Sequence, residues 1–235
     1  MTCVLSVGGS IVAPPQGPDV DFLVEFRNRL GSWLSAASER RAILVIGGGG
    51  PARSYQNALK EFWRRRGEPE SEGANEALDW IGIAATRINA RLVKAAMGEL
   101  CADEIVTDPS APFVFSVQVL VASGWKPGFS TDYDAVYLAH RFGAASVLNL
   151  SNIAKVFTAD PKLNPNAKPI DSISWPEFRA IVGSTWIPGA NLPFDPIASG
   201  LAQEKGIRVT CAAGRDLENL ENILEGRSFV GTDIG

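Results

Sequence analysis

The sequence is poor in the residues that build metal centres and disulfide frameworks. Its 235 residues hold three cysteines and one histidine. Cys3, Cys101 and Cys211 are far apart, odd in number and form no CxxC pair. That excludes a disulfide scaffold and fits a reduced, cytoplasmic setting. His140 lies in the apolar stretch AVYLAHRF and reads as a helix-face residue, which leaves no transition-metal site. An excess of basic charge is missing too. The net charge of −4 excludes a nucleic-acid polymer as partner, because phosphodiesters need a basic face. A small phosphate compound is not excluded, since backbone N–H groups and a few arginines can hold it locally. No apolar run reaches the ~18 residues of a membrane span, and no basic segment precedes the first apolar stretch. The chain therefore reads as soluble and unexported. No GxxxxGK[ST] occurs, so a Walker A loop is absent.

What is abundant is glycine placed directly after apolar runs. Residues 3–7 lead into Gly8-Gly9-Ser10, and residues 42–46 lead into four glycines, Gly47 to Gly50. Runs bounded this sharply read as buried strands entering turns. Helical spacing marks residues 21–34, 52–65 (after a first-turn Pro51) and 78–97. The polar stretch 64–73, with Glu68-Pro69-Glu70, reads as a surface loop. Strand-like pieces follow at 104–106 and 117–121, the second ending at Ser123-Gly124, then a helix at 132–142 and a strand at 146–150. Residues 158–169 form an irregular excursion. The remainder reads as helices at 175–182, 196–205 and 217–224, a strand at 207–211 and a last strand near 229–232. Such alternation predicts an α/β fold with a mostly parallel sheet covered on both faces. No linker divides residues 1–235, so one domain is expected. Ligands of such sheets bind at the carboxyl ends of the strands, which places the three glycine turns around one site.

Each motif has a plain and a chemical reading. Gly8-Gly9-Ser10 is a tight turn or a phosphate cradle. Four successive glycines cost conformational entropy that a simple turn does not require. With Arg53 one helical turn beyond, they point to a phosphate-facing helix start. In the stretch Gly124 to Asp132, one of Ser130, Thr131 and Asp132 is at least an N-cap. Alternatively their hydroxyls and amides hold a ligand, with Lys126 adding charge. Ser151 to Pro161 is a connecting loop, or a set of polar groups and an aromatic around a nucleotide. Asp79-Trp80 and the stretch Thr86 to Asn89 read as surface or helix-pairing residues. Arg64 to Arg66 reads as a solvated face, and Trp175, Trp186 and Phe194 as packing.

Taken in order, VGGSIV, VIGGGGPAR, DWIGIAATRINA, PGFSTDYDAV, LSNIAKVFTADPKLNPNAKPI, PFDPIASGLA and FVGTDI resemble the archaeal-type uridylate kinases of the amino-acid-kinase superfamily nearly end to end. The resemblance implies a three-layer α/β/α sandwich with a mainly parallel sheet. It implies transfer of the ATP γ-phosphoryl group to UMP in pyrimidine nucleotide biosynthesis, with Mg²⁺ held through the phosphates and often in a homohexamer. It assigns acceptor binding to about residues 1–140 and ATP binding to about 141–235. By the family pattern Gly8, Gly9, Ser10, Gly49, Arg53, Ser151, Asn152, Phe157 and Asp160 serve ATP, with Ser10 and Arg53 as candidate stabilisers of transition-state charge. Gly48, Asp79 and the turn Gly124, Trp125, Lys126, Pro127, Gly128, Phe129, Ser130 and Thr131 serve UMP.

Two departures stand out. Ser6 occupies a place where many superfamily members carry lysine, though archaeal-type enzymes often lack it as well. Where the family commonly reads NVDGVYT, this chain has Asn152-Ile153-Ala154-Lys155-Val156-Phe157-Thr158. Lys155 then either supplies a replacement cation near the triphosphate or points into solvent. The alternatives are a relative acting on another small phosphate or carboxylate acceptor, and a nucleotide-binding sensor or storage protein without catalysis.

Overall fold

A computed structural model describes residues 1–67, 73–185 and 192–235. The aliphatic runs become strands β1 (Thr2–Val7), β2 (Arg41–Ile46), β3 (Val119–Ala122), β4 (Ser146–Ser151) and β8 (Arg208–Ala213). Short strands β5 (Val156–Phe157), β6 (Pro169–Ile170), β7 (Ser172–Ile173) and β9 (Thr232–Ile234) complete the set. Seven of them form one sheet in the order β3-β2-β1-β4-β8-β9-β7, and β5 pairs with β6 apart from it. All pairings in the main sheet are parallel except β8 with β9.

Period-two alternation along β1 and β2 divides their side chains between two cores. Leu5, Val7, Leu44 and Ile46 face α2 (Val20–Ser35), α4 (Ala74–Met97) and α8 (Leu217–Leu224), burying Phe26, Leu30, Val93, Met97 and Leu220 among others. Val4, Ile43 and Val45 face α5 (Thr131–Arg141), α6 (Trp175–Val182) and α7 (Pro196–Lys205), with Leu138, Phe178 and Phe194 at the centre. This is the three-layer α/β/α sandwich expected. At ~25 cal/mol per Å² of apolar surface, covering both faces supplies the main favourable contribution to folding. Among the described residues no helix is long and apolar enough to cross a membrane.

Several local expectations need correction. Residues 104–106 form no strand; only Val106 bridges to Ala122. The last strand begins at Thr232, after Gly231, rather than near 229. Arg64 to Arg66 end α3 (Gly49–Arg66) instead of opening a loop, and Gly67, at φ +67°, closes the helix. Arg64 and Arg65 pair with Glu61 in solvent, as a solvated face should. Glu68-Pro69-Glu70 and Trp186 lie outside the described residues. Trp175 and Phe194 are core residues, as anticipated.

Candidate active site

Because β3, β2 and β1 are parallel neighbours, the turns that follow them emerge on one edge of the sheet. The first two are pressed together. A methyl group on Gly9 would land on the Gly49 nitrogen, and one on Gly49 would land on the Gly9 carbonyl. Gly49 also takes φ +64°, a left-handed conformation that suits glycine alone. The run of four glycines is therefore needed in part for backbone packing, before any ligand is considered. The amides of Gly8, Gly47 and Gly50 are committed to Leu150, Val7 and Ala13. Those of Gly9, Ser10, Gly48 and Gly49 have no acceptor among the described residues. Four N–H groups remain in two opposed turns at the start of α1 (Gly9–Val12) and α3, a geometry able to hold an anion. Arg53 Nη2 donates to Ser10 Oγ at 2.8 Å and brings a guanidinium to their rim.

Beside these turns lies a cavity of about 290 Å³. Its wall combines Gly8, Gly9, Gly47 and Gly48 with Ser6, Ser130, Thr131, Asp132, Asn149, Ser151, Pro193 and Asp195. Ser6 Oγ donates to Asp132 Oδ1 at 2.8 Å, and the Asp195 amide donates to Oδ2 at 3.3 Å. Burial pushes the Asp132 carboxyl up to about 6 against the lowering effect of the Ser6 hydroxyl. Burial raises Asp195 as well, and its Oδ2 is buried with no partner among the described residues. Asn149 Nδ2 is held by the Pro193 carbonyl at 2.8 Å.

The third turn is stitched into the protein. Its amides at Gly124, Trp125 and Gly128 donate to Thr86 Oγ1 (2.9 Å), Asp134 Oδ2 (3.2 Å) and Asp79 Oδ2 (2.7 Å). Its N-cap is Ser130, whose Oγ accepts from the Tyr133 amide. Lys126 Nζ sits 3.9 Å from the Trp125 ring centre and 5.2 Å from that of Phe129. Of this turn, Ser130 and Thr131 reach the cavity wall. Asp134 is fully buried behind it, with Oδ1 unpaired among the described residues; burial pushes its carboxyl up to about 8.

On the far side of β4, Ser151 lines the cavity, Asn152 is exposed and Phe157 is half-buried on β5. Asp160 is exposed and accepts from the Lys162 amide at 2.9 Å. Lys155 pairs with Asp171, so its ammonium already has a carboxylate beside it.

Sequence reasoning passed over several of these groups. Asp132 counted as a possible N-cap or ligand-holding residue of the third turn, without its buried carboxylate being noticed, and Asn149, Asp134 and Asp195 were not singled out. Thr86 and Asn89 are neither surface nor helix-pairing residues: both are buried, and they hold glycine turns. The available signal was a polar residue inside an apolar helical stripe, since Ile83, Ala90 and Val93 on the same helix are core.

Comparison with known proteins agrees with this geometry. A family model described as the amino acid kinase family matches residues 1–213. A uridylate kinase from Pyrococcus abyssi is 34% identical over 232 residues, covering 97% of this chain and 96% of that protein. One from Methanospirillum hungatei is 32% identical, covering 98% and 93%. The crystal structure of uridylate kinase from Archaeoglobus fulgidus superposes with a TM-score of 0.78 at 29% identity, covering both chains completely. The structure of UMP kinase from Bacillus anthracis, at 20% identity and a TM-score of 0.75, shares the fold.

Proposed function

The chain belongs to the amino acid kinase family, and from that premise we propose that it transfers the γ-phosphoryl group of ATP to UMP, giving UDP and ADP. The observation that carries this reading is a cluster of unpaired amides beside a polar cavity, in a chain alike end to end to proteins named uridylate kinase.

In this reading Gly8, Gly9, Ser10, Gly49 and Arg53 hold the ATP phosphates, and Ser151, Asn152, Phe157 and Asp160 flank the rest of the nucleotide. Gly48, Asp79 and the turn from Gly124 to Thr131 enclose UMP. In the same reading about 1–140 is an acceptor half and about 141–235 an ATP half of one domain, with the glycine turns of the first half reaching the ATP phosphates. Phosphoryl transfer needs alignment of donor and acceptor and neutralisation of the equatorial oxygens, with little covalent work from the protein. Backbone amides and the Arg53 guanidinium meet that need in a preformed setting.

Mg²⁺ fits this wall, because Asp195 brings a buried, unpartnered carboxylate oxygen to a cavity that would receive a triphosphate. Asp132 and Asp195 are the residues that would face the ion, which would neutralise phosphate charge. Tyr55 and Phe62 on α3 and Trp80 and Ile88 on α4 are exposed, and they offer an apolar surface for assembly into a homohexamer. A cytoplasmic role in pyrimidine nucleotide synthesis accompanies the activity.

The test is Mg-ATP consumption with UMP, CMP, and small carboxylates or phosphates as acceptors. UMP should give the highest kcat/KM. Preference for another acceptor would assign the chain to a different activity of the family, and UMP binding without turnover would identify a sensor.

A further inference from the structure

One helix holds two of the three glycine turns. Asp79, Thr86 and Asn89 on α4 are spaced seven and three residues apart, which puts them on one face. That face meets the second and third glycine turns. Asn89 Nδ2 donates to the Gly47 carbonyl at 2.8 Å and to the Gly48 carbonyl at 3.1 Å. Thr86 donates its hydroxyl hydrogen to the Ile83 carbonyl at 2.7 Å, which leaves a lone pair aimed at the Gly124 amide, 2.9 Å away. Both side chains are buried, Asn89 to 2% and Thr86 to 6% exposure.

These bonds decide which way the turn peptides face. In a trans peptide the C=O of one residue and the N–H of the next point in opposite directions. No cis peptide occurs among the described residues. Drawing the Gly47 and Gly48 carbonyls toward α4 therefore turns the Gly48 and Gly49 N–H groups away from it, to the side of the cavity and the first turn. Glycine lacks a Cβ to resist peptide rotation, so an untethered turn could present a carbonyl to an anion instead. An asparagine amide has two donor hydrogens on one nitrogen and can hold two carbonyls at once. Thr86, three residues earlier, fixes the start of the third turn from the same rigid helix. The separation of the two turns is then set by α4 rather than by either turn.

We propose that Thr86 and Asn89 are positioning residues of the phosphoryl transfer, Asn89 orienting the amides of the second glycine turn and Thr86 fixing the acceptor turn at a set distance from them. The inference rests on the reading of the chain as a UMP kinase. Neither side chain reaches substrate; each acts through the backbone it holds.

The experiment is steady-state kinetics with ATP and UMP varied separately for the wild type and for Asn89→Ala, Thr86→Val, Thr86→Ser and Asn219→Ala. Asn219 is an equally suitable control: buried, with a side-chain amide clamping Val230, and on α8. Misaligned reactants cost rate steeply, so Asn89→Ala should lower kcat about tenfold or more, with both KM values changed by less than about threefold. Thr86→Val, similar in shape but without the acceptor, should raise the KM for UMP and leave that for ATP, while Thr86→Ser restores the wild-type value. Asn219→Ala should lose thermal stability and keep wild-type kinetics. Kinetic changes in Asn89→Ala and Thr86→Val no larger than those of Asn219→Ala would overturn the proposal. So would equal behaviour of the valine and serine variants at residue 86, which decides the matter even if Asn89→Ala does not fold. Wild-type protein that turns over no UMP would overturn the functional reading itself, a separate result, and this inference with it.

Discussion

Arg53 Nη2 donates to Ser10 Oγ at 2.8 Å, a bridge between helices that begin at two different glycine turns. Arg53 is exposed, so the bridge adds little to stability, roughly 0–1 kcal/mol by analogy with surface pairs. Its value lies in aim. The guanidinium is kept near the glycine turns that carry four unpaired amides, in a position to donate from its fork to phosphate oxygens. Arg53→Ala should therefore lower kcat by about 10²-fold, the order seen when one transition-state donor is removed. Thermal unfolding should be nearly unchanged. Arg53→Lys should recover only part of the rate, because an ammonium cannot make the bidentate contact.

The close approach of the first two turns makes a contrast between glycines. Gly9→Ala places a methyl group on the Gly49 backbone, and neither turn can move without pulling on β1 or β2. It should destabilise the fold by several kcal/mol, beyond the usual ~1 kcal/mol of a point substitution. Gly31 lies inside α2, where an added methyl would meet only Leu100, at 3.7 Å. Gly31→Ala should stabilise by about 0.5–1 kcal/mol through helix propensity. Chemical denaturation of the two variants checks both signs.

Asp134 links stability to pH. Burial lifts its carboxyl from an ordinary 3.8 to about 8, with the charges of Asp132 and Asp108 adding to the rise and the Trp125 amide opposing it. The folded state thus holds a proton that the unfolded chain has released, and stability falls as pH climbs from about 4 to about 8. Asp132, lifted to about 6, contributes in the lower part of that range. Asp134→Asn keeps a neutral side chain at every pH. Its melting temperature should be flatter than the wild type's between about pH 6 and 8, measured by calorimetry across that window. Equal slopes would show that Asp134 does not hold the proton.

Lys155 supplies a test of the altered loop. Its partner Asp171 is largely exposed, so the pair is worth at most about 1 kcal/mol. With its charge satisfied there, Lys155→Ala should leave the ATP KM and kcat near wild-type values. A marked rise in the ATP KM would instead place the ammonium at the triphosphate.

Much of the fold was legible because its signals are local. Residues 175–182, 196–205 and 217–224 are helices with the bounds expected, each entered through a polar N-cap: Ser174, Asp195 and Asp216. The glycine turns were legible because aliphatic strands end abruptly in them. Strands β5, β6 and β7 were not, since two-residue pairings have no periodicity to detect. The antiparallel β9 was placed too early because Phe229 and Val230 look strand-like, yet both are exposed and Val230 is clamped by Asn219. The buried carboxylates and the two tethers on α4 escaped notice for a different reason. Their roles depend on which backbone the helix lands against, and that partner is distant in the chain: 42 residues for Asn89 and Gly47, 38 for Thr86 and Gly124.

The sheet order also has a consequence for the timing of synthesis. β1 lies between β2 and β4, and its pairing with β4 brings Val4 to Val147. A chain emerging from the ribosome at ~5–20 residues per second has β1, β2 and β3 in hand well before β4 appears. During those seconds one side of the central strand is an open row of amides and carbonyls flanked by mostly apolar side chains, an arrangement prone to pairing with a neighbour's strand. Until β4 docks, the nascent protein depends on dilution or on a chaperone to keep its future centre from becoming an edge.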